Sequence, residues 1–304
     1  MLRQSNFSFC RFILLPSSTG YERMLLIENT AYRIEIEQAR QTREDRMLSN
    51  PLNWFTLVGL FPLADGINRV GREENLEITL PSLPEGCHAN FEARTDGVFL
   101  ISASEGFTVN GQPPTGGRLR QDVDGDPDLV EIGAIAMRVI NRNSRPYLRV
   151  WDREAPALRD FHGLDYFPVD PAYRIQAEFV PFDPPRSIRI ADAIGGEHEI
   201  LFPGEARFTV SGVACTLIAE DDEDGLLFNF TDPTRADSTY PGGRYVLTPY
   251  PKNCQVTLDF NLARNWPCAY TSFATCPLPP AQNHLKVRVE AGEKRYHALG
   301  GRAG

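Results

Sequence analysis

Short segments in which apolar and polar residues alternate follow one another from Gly66 onward, and this pattern limits the fold more than any other feature. Examples are LEITLP, GVFLISA, ARFTVSGVACTLIA and CQVTLDFNLA, each bounded by Gly, Pro, Asn or Asp. A period of two is typical of half-buried β-strands, and the bounding residues are those of turns. No βαβ alternation occurs and no GxGxxG follows a strand, which disfavours a dinucleotide-binding fold. We therefore predict a mostly β protein.

One earlier segment has a helical pattern. Within residues 30–50, Tyr32, Ile36, Ala39 and Arg43 fall on one stripe, and acids and bases alternate over the other positions. Asn50-Pro51 ends this helix, because the residue before a proline is pushed out of the α region. The apolar WFTLVGLFPLADG that follows predicts a buried strand or a cap segment.

These patterns divide the chain into four regions. Residues 1–29 are interpreted as a disordered or mis-assigned leader, because Arg11 interrupts their apolar stretch and no signal-peptide cleavage site follows. We expect a helix and cap over residues 30–62, a β-sandwich over 63–150, and a second antiparallel β barrel or sandwich over 151–304. No apolar run reaches the ~18 residues of a membrane span, so we predict a soluble, cytoplasmic protein with no membrane partner.

The net charge argues against nucleic-acid binding, and the spacing of the cysteines and histidines argues against a metal site. A formal net charge of −9 repels phosphate backbones, so we expect no nucleic-acid partner. The six cysteines form no CxxC, the histidines form neither HxH nor HExxH, and we expect no metal and no cofactor. Asp122, Asp124, Asp126 and Asp128 alternate as in a calcium loop, but the glycine falls one place early and no bidentate glutamate follows. We interpret that stretch as a solvated hairpin loop.

Polar side chains are unusually dense between residues 228 and 293, where they interrupt strands. Asp259 and Asn261 fall on one face of a strand whose Leu258 and Phe260 fall on the other. If buried, they need partners, and Arg244 is the predicted one. The pattern predicts either a ligand-binding cleft or a buried network that holds strands and a loop in register. The candidate catalytic residues are Asp232 and Asp259, and the candidate ligand-binding residues are Thr234, Thr239, Tyr240, Arg244, Asn261, Asn265 and Asn283.

Residues 265–283, NWPCAYTSFATCPLPPAQN, form a proline-rich segment that we call the strap. Its prolines fix φ and favour an extended, low-entropy path. We predict that Cys268 and Cys276 pack beneath the strap as small hydrophobes and that Asn265 and Asn283 tie its ends by hydrogen bonds. A disulfide, a metal site and a catalytic thiol remain open as alternatives.

Several stretches of the C-terminal half resemble the motifs of a known protein family. FTDPT, TYPGGRYV, LDFNLARNWPCAY and ATCPLPPAQNHL resemble the motifs of the bacterial and archaeal family known as domain of unknown function 1684. WFTLVGLFPLADGINRVG, LRVWDREAP and FHGLDYFPVD are also similar to it, so the resemblance covers most of the chain after residue 30. One departure is Trp266, where the family pattern has proline. The resemblance supplies the location of a motif and no chemistry.

Residues 66–140 are similar to a forkhead-associated domain through Gly71-Arg72, His88-Ala89 and the Val109-Asn110-Gly111 turn. The resemblance implies a β-sandwich whose loops bind phosphothreonine. Here Glu85-Gly86 replaces the expected Ser-Arg, which puts an acid where the phosphate would lie. We interpret this region as a scaffold.

Two function classes follow. The first is a protein that binds a small molecule or a peptide in a cleft of the C-terminal β-domain. The second is a hydrolase that uses Asp232 or Asp259 as general base and Arg244 to hold an anionic group. The sequence has no recognisable nucleophile–His–acid set, which favours binding. A third interpretation is that the polar motif is a structural network only.

Overall fold

The computed structural model describes residues 18–193 and 195–297, and residues 1–17 of the predicted leader lie outside this part. Helix α1 (Ser18–Ser49) begins well before the predicted start at residue 30. Residues 21–29 contain good helix formers and no proline, which is consistent with this longer helix. Within the described residues, no helix has the length and apolar character needed to cross a membrane.

Ten strands follow α1 in the first half of the chain. They are β1 (Leu57–Pro62), β2 (Gly66–Gly71), β3 (Ile78–Thr79), β4 (Ala89–Arg94), β5 (Gly97–Ala103), β6 (Thr108–Val109), β7 (Gly117–Leu119), β8 (Val130–Ile132), β9 (Ile135–Arg142) and β10 (Arg145–Asp152). They form two five-stranded sheets, with orders β1-β10-β9-β8-β6 and β3-β2-β4-β5-β7. Phe91 and Leu100 from one sheet and Met137 and Leu148 from the other share one buried cluster. This arrangement is the predicted β-sandwich, with alternate positions of each strand facing the core.

The second half begins with the short helix α2 (Pro156–Arg159), and its described residues form seven strands. They are β11 (Arg174–Ala191), β12 (Glu197–Val210), β13 (Val213–Asp222), β14 (Gly225–Phe230), β15 (Arg244–Pro249), β16 (Gln255–Asp259) and β17 (Arg264–Asn265). They form one antiparallel sheet of order β16-β11-β12-β13-β14-β15-β17. Leu258 on the edge strand β16, Leu217 on β13 and Val246 on β15 belong to the same buried cluster. The sheet therefore curves around one core, and the prediction of a mostly β fold is confirmed.

The strap connects the sandwich and the curved sheet. Phe273 packs with Leu57 and Trp151 of the sandwich. On the other side, Pro279 lies over Gly243, where a Cβ would come within 2.5 Å of the proline ring and where φ is +99°. Both conditions require glycine at that position. The strap is thus held between elements of both halves.

Candidate functional site

Arg244 and Asp232 form a fully buried ion pair at the centre of the motif region. Each side chain is 1% exposed, and Arg244 Nη2 lies 2.8 Å from Asp232 Oδ2. The guanidinium also donates to the carbonyl oxygens of Val289, Ala291 and Glu293. Burial lowers the pKa of Arg244, and the Asp232 charge opposes that shift. The pair therefore clamps the segment after the strap onto the curved sheet.

The remaining bonds of Asp232 hold the loop that follows β14. Asp232 Oδ1 accepts from the backbone N–H of Thr234 at 2.9 Å, which caps the 3₁₀ turn Pro233–Ala236. The same oxygen accepts from the N–H of Val289. Thr234 and Thr239 are buried and bonded to each other through their hydroxyl groups at 2.8 Å. These predicted site residues thus bind one another.

Asp259 and Asn261 form hydrogen bonds with Tyr32 of helix α1. The Tyr32 hydroxyl lies 2.8 Å from both carboxylate oxygens of Asp259, and burial together with this carboxylate raises the pKa of Tyr32. Asn261 donates to the Tyr32 hydroxyl at 2.9 Å and pairs with the backbone of Asp170 in both directions. The prediction that Arg244 is the partner of Asp259 and Asn261 is wrong, because Arg244 is turned toward Asp232 and the C-terminal segment.

Glu293 is a buried acid that the sequence reasoning did not select. Its carboxylate accepts from the Asn265 backbone and side chain, is paired with Arg43 of α1 at 3.1 Å, and receives the Tyr270 hydroxyl. Burial raises the pKa of Glu293, and the Arg43 charge opposes the shift. The sequence signal that could have selected Glu293 is its place directly after Gly292 in the Ala-Gly-Glu stretch. In the structure, Gly292 takes a φ of +76°, a conformation that favours glycine.

Asn283 lies at the C-terminal end of the strap and is also buried. Its side-chain oxygen accepts from the N–H of Ile218 at 2.8 Å, and its amide donates to the carbonyls of Ile218 and Asn229. The side chain thereby bridges β13 and β14 beyond the point where their backbone pairing ends. With Asn265 bonded to Glu293 and Lys294 at the other end, both asparagines tie the strap to its surroundings.

The two strap cysteines, Cys268 and Cys276, form a hydrogen-bonded cluster with Tyr240. Both cysteines are free thiols, and the N–H of Cys268 donates to Cys276 Sγ at 3.3 Å. Hydrogen bonds from the Cys276 thiol and the Tyr240 hydroxyl lower the pKa of Cys268 to about 7, despite its burial. The same contact raises the pKa of Cys276. Cys276 is buried, whereas Cys268 is half-buried and has the lowered pKa.

A groove runs beside the strap, and we call it the strap groove. It has a volume of about 400 Å³ and is lined by Thr231, Arg235, Pro241, Gly242, Leu278, Pro279, Pro280, Ala281 and His284. Thr231 Oγ1 and His284 Nδ1 are hydrogen-bonded at 2.7 Å. Among the predicted site residues, none lines this groove directly. Several of them adjoin it in sequence.

The acidic stretch after β7 does not converge on one point. Asp122 pairs with Arg142, Asp124 with Arg118 and Asp128 with Arg120. The described residues contain no group of three or more side chains arranged to hold a metal ion. In the sandwich loops, Arg72 shares an open depression with Glu73 and Glu85, and two acids beside one arginine do not favour phosphate. The forkhead-associated resemblance stays an interpretation.

Part of the chain matches a known protein family, and one solved structure is similar to it. Residues 159–294 match the family described as Protein of unknown function (DUF1684). A solved relative is the solution NMR structure of an uncharacterized protein from Haloarcula marismortui, 34% identical over 46% of this chain and 80% of that chain, with a TM-score of 0.38. The chain belongs to the DUF1684 family. At that TM-score the two backbones add no argument on fold, and no curated protein matches the chain significantly.

The DUF1684 segment contains Asp232, Arg244, Asp259 and Glu293, together with the whole strap. It begins at Arg159, so the predicted extension of the family to the residues after position 30 stays a prediction. The first half nevertheless contributes Tyr32 and Arg43 to the buried networks of this segment.

Proposed function

We propose that the protein binds, in the strap groove, a small molecule that carries an anionic group and a short apolar part. The supporting observation is the groove's composition: Thr231, Arg235 and His284 supply polar groups, and Leu278 and the neighbouring prolines supply an apolar wall. Small-ligand pockets of about 300–1,000 Å³ combine apolar walls with a few placed polar groups in this way. The proposal keeps the predicted C-terminal β-domain cleft and changes the residues that line it.

Arg235 and His284 are the groups we assign to ligand contact. The exposed Arg235 guanidinium makes no ion pair within the described residues, so it can hold a carboxylate by charge-assisted hydrogen bonds. Thr231 fixes the orientation of the His284 ring through Nδ1, which leaves Nε2 for a ligand. Asp232 caps the turn that carries Arg235, and therefore acts as a positioning residue together with Arg244.

The two other predicted functions fit the contacts differently. A hydrolase with Asp232 or Asp259 as general base is less well supported, because Arg244 and Tyr32 occupy these carboxylates. A purely structural motif agrees with the burial of Arg244, Thr234, Asn261 and their neighbours, but leaves the strap groove without a role. We also keep the cytoplasm as the proposed location, since thiols such as Cys268 remain reduced there.

The test uses hexanoate as probe, with hexanol and butyrate for comparison. We expect hexanoate to shift the backbone amide signals of Leu278, Ala281 and His284 saturably in ¹H–¹⁵N correlation spectra. Hexanol lacks the charge and butyrate lacks apolar length, so both bind more weakly. Arg235→Gln weakens hexanoate binding about fivefold, since an exposed charge pair contributes ~1 kcal/mol or less.

Arg159→Gln is the matched control, because Arg159 is also exposed and lies on α2. It leaves the hexanoate titration unchanged. Equal binding of hexanoate to wild type and Arg235→Gln, or shifts confined to residues outside the strap groove, would contradict the proposal. A short apolar peptide with a free carboxyl terminus that binds while hexanoate does not would also overturn it, in favour of the peptide ligand.

A further inference from the structure

The outer face of the sandwich sheet, where the strap covers it, carries an excess of positive charge. Arg138 and Arg142 lie on β9, Arg149 lies on β10, and Arg153 follows β10. Arg142 is paired with Asp122, and Arg153 is paired with Glu131. Arg138 and Arg149 make no ion pair and no side-chain hydrogen bond to any described residue. Neither guanidinium therefore has an ion-pair partner among the described residues.

These two arginines are direct neighbours. Arg149 is the cross-strand partner of Arg138 in the β10–β9 register. Side chains directly opposite in an antiparallel pair have Cβ atoms about 4.5–5.5 Å apart, and like charges there destabilise the sheet. Leu148 and Val150 face the sandwich core, so Arg149 and Trp151 face outward. The sheet thus places an indole beside the two guanidinium groups.

Three N–H donors on this face are buried and have no hydrogen-bond partner. They belong to Arg138 Nε, Arg149 Nε and Trp151 Nε1. Buried donors without partners cost free energy, and they are uncommon in folded proteins. These three donors occupy adjacent positions of one sheet face. A single acceptor group that reaches all three would satisfy them together.

The strap closes this face from above. Arg142 Nε donates to Thr275 Oγ1 at 3.2 Å, and Phe273 packs against Trp151. Burial lowers the pKa of Arg149 to about 10, and the charge of Arg142 adds to that shift. Arg149 is consequently held in a partly dehydrated setting, near the like charge of Arg142 and the opposite charge of Asp122, which are paired with each other.

We propose that Arg138, Arg149 and the Trp151 indole bind a small oxyanion, either phosphate or the phosphate group of an organic ester, between the sandwich and the strap. Its oxygens accept from all three orphaned N–H groups, and its charge offsets the two guanidinium groups. Arginine suits such a ligand because its planar N–H groups match the geometry of an oxyanion. This site lies apart from the strap groove and does not depend on the function proposed for it.

Thermal unfolding in inorganic phosphate, against chloride at equal ionic strength, tests the site. We expect phosphate to raise the Tm of wild type saturably, because a ligand of the folded state stabilises it by mass action. Glycerol 3-phosphate in a parallel titration separates the two sources: tighter binding of the ester identifies an organic phosphate, and equal or weaker binding identifies the free ion.

Arg149→Gln and Arg138→Gln each weaken phosphate binding at least tenfold and raise the Tm in chloride, since each removes one of two repelling charges. Arg145→Gln, an exposed arginine on the same strand, changes neither quantity. A rise in Tm with phosphate that is the same in wild type and Arg149→Gln, or no saturable rise at all, would overturn the proposal. Arg138→Gln keeps the test decisive if Arg149→Gln fails to fold.

Discussion

The DUF1684 motif region and the strap-covered face of the sandwich differ in whether their buried arginine groups have hydrogen-bond partners. In the motif region, Arg244 has an acid and three carbonyl oxygens as partners. On the sandwich face, Arg138 and Arg149 lie opposite each other with buried N–H groups that have no partner. The partners of Arg244 all belong to the fold itself, whereas the described residues supply no partner for the buried Nε–H groups of Arg138 and Arg149. Dense polar motifs can therefore mark architecture, while the sites lie beside them.

The largest expected effect comes from breaking the saturated side of this comparison. Arg244→Met leaves the Asp232 carboxylate buried without its counter-ion and frees three carbonyl oxygens. We expect the free energy of unfolding to fall by about 3–5 kcal/mol in urea titrations. Arg288→Met is the control, because the Arg288–Asp237 pair is exposed to solvent and contributes little to stability. Equal losses from the two variants would contradict the role given to Arg244.

A smaller effect is expected from Glu220, a half-buried acid on the outer face of β13, one of whose carboxylate oxygens is buried without a partner. Burial raises its pKa to about 7, above the unfolded value of about 4.3. Between these values the folded state binds more protons than the unfolded state, so stability falls as pH rises from about 4.3 to 7. The loss amounts to a few kcal/mol at most.

Glu220→Gln removes this contribution and flattens the pH profile of stability over that range. Urea titrations at pH 4.5, 6 and 7.5 measure it. Glu199→Gln, an exposed acid on β12, serves as the control and keeps the wild-type profile. An unchanged slope in Glu220→Gln would show that Glu220 is better solvated than its burial indicates.

The smallest effect concerns Cys268, whose thiol has the Cys276 thiol and the Tyr240 hydroxyl as side-chain hydrogen-bond partners. We expect alkylation of Cys268 by iodoacetamide to reach half its maximal rate near pH 7. Tyr240→Phe removes one donor to the thiolate and moves that midpoint upward. Peptide mass mapping follows each site, with the exposed Cys254 as internal reference. An identical Cys268 midpoint in wild type and Tyr240→Phe would contradict the assignment.

Sequence patterns could predict the local structure well. The turn-bounded alternating segments became the strands of a sandwich and a curved sheet, and the stripe of Tyr32 and Ile36 is the buried face of α1. Motif density selected Asp232 and Arg244, which bind each other, and Asn283, whose carbonyl oxygen accepts from the neighbouring Thr231. These features depend on residues close together in the chain, where periodicity and turn chemistry carry the information.

Pairing between distant residues could not be predicted in the same way. The partner of Asp259 is Tyr32, 227 positions earlier, and nothing in either segment specifies the other. The charge complementarity that suggested Arg244 for Asp259 was equally satisfied by Asp232. Arg138 and Arg149 look like ordinary outward strand positions in the sequence, and only the β10–β9 register shows that they face each other.

The docking of α1 has a consequence for the order of events during synthesis. Tyr32, Arg40 and Arg43 bind Asp259, Asn261 and Glu293, so the helix is made early while its binding surface is made late. At roughly 5–20 residues per second, a ribosome takes on the order of 10–50 s to pass from the one to the other. During that interval the apolar stripe of α1 is without its native cover. In the nascent chain, Tyr32 and Ile36 therefore stay exposed until the last quarter of the protein has been made.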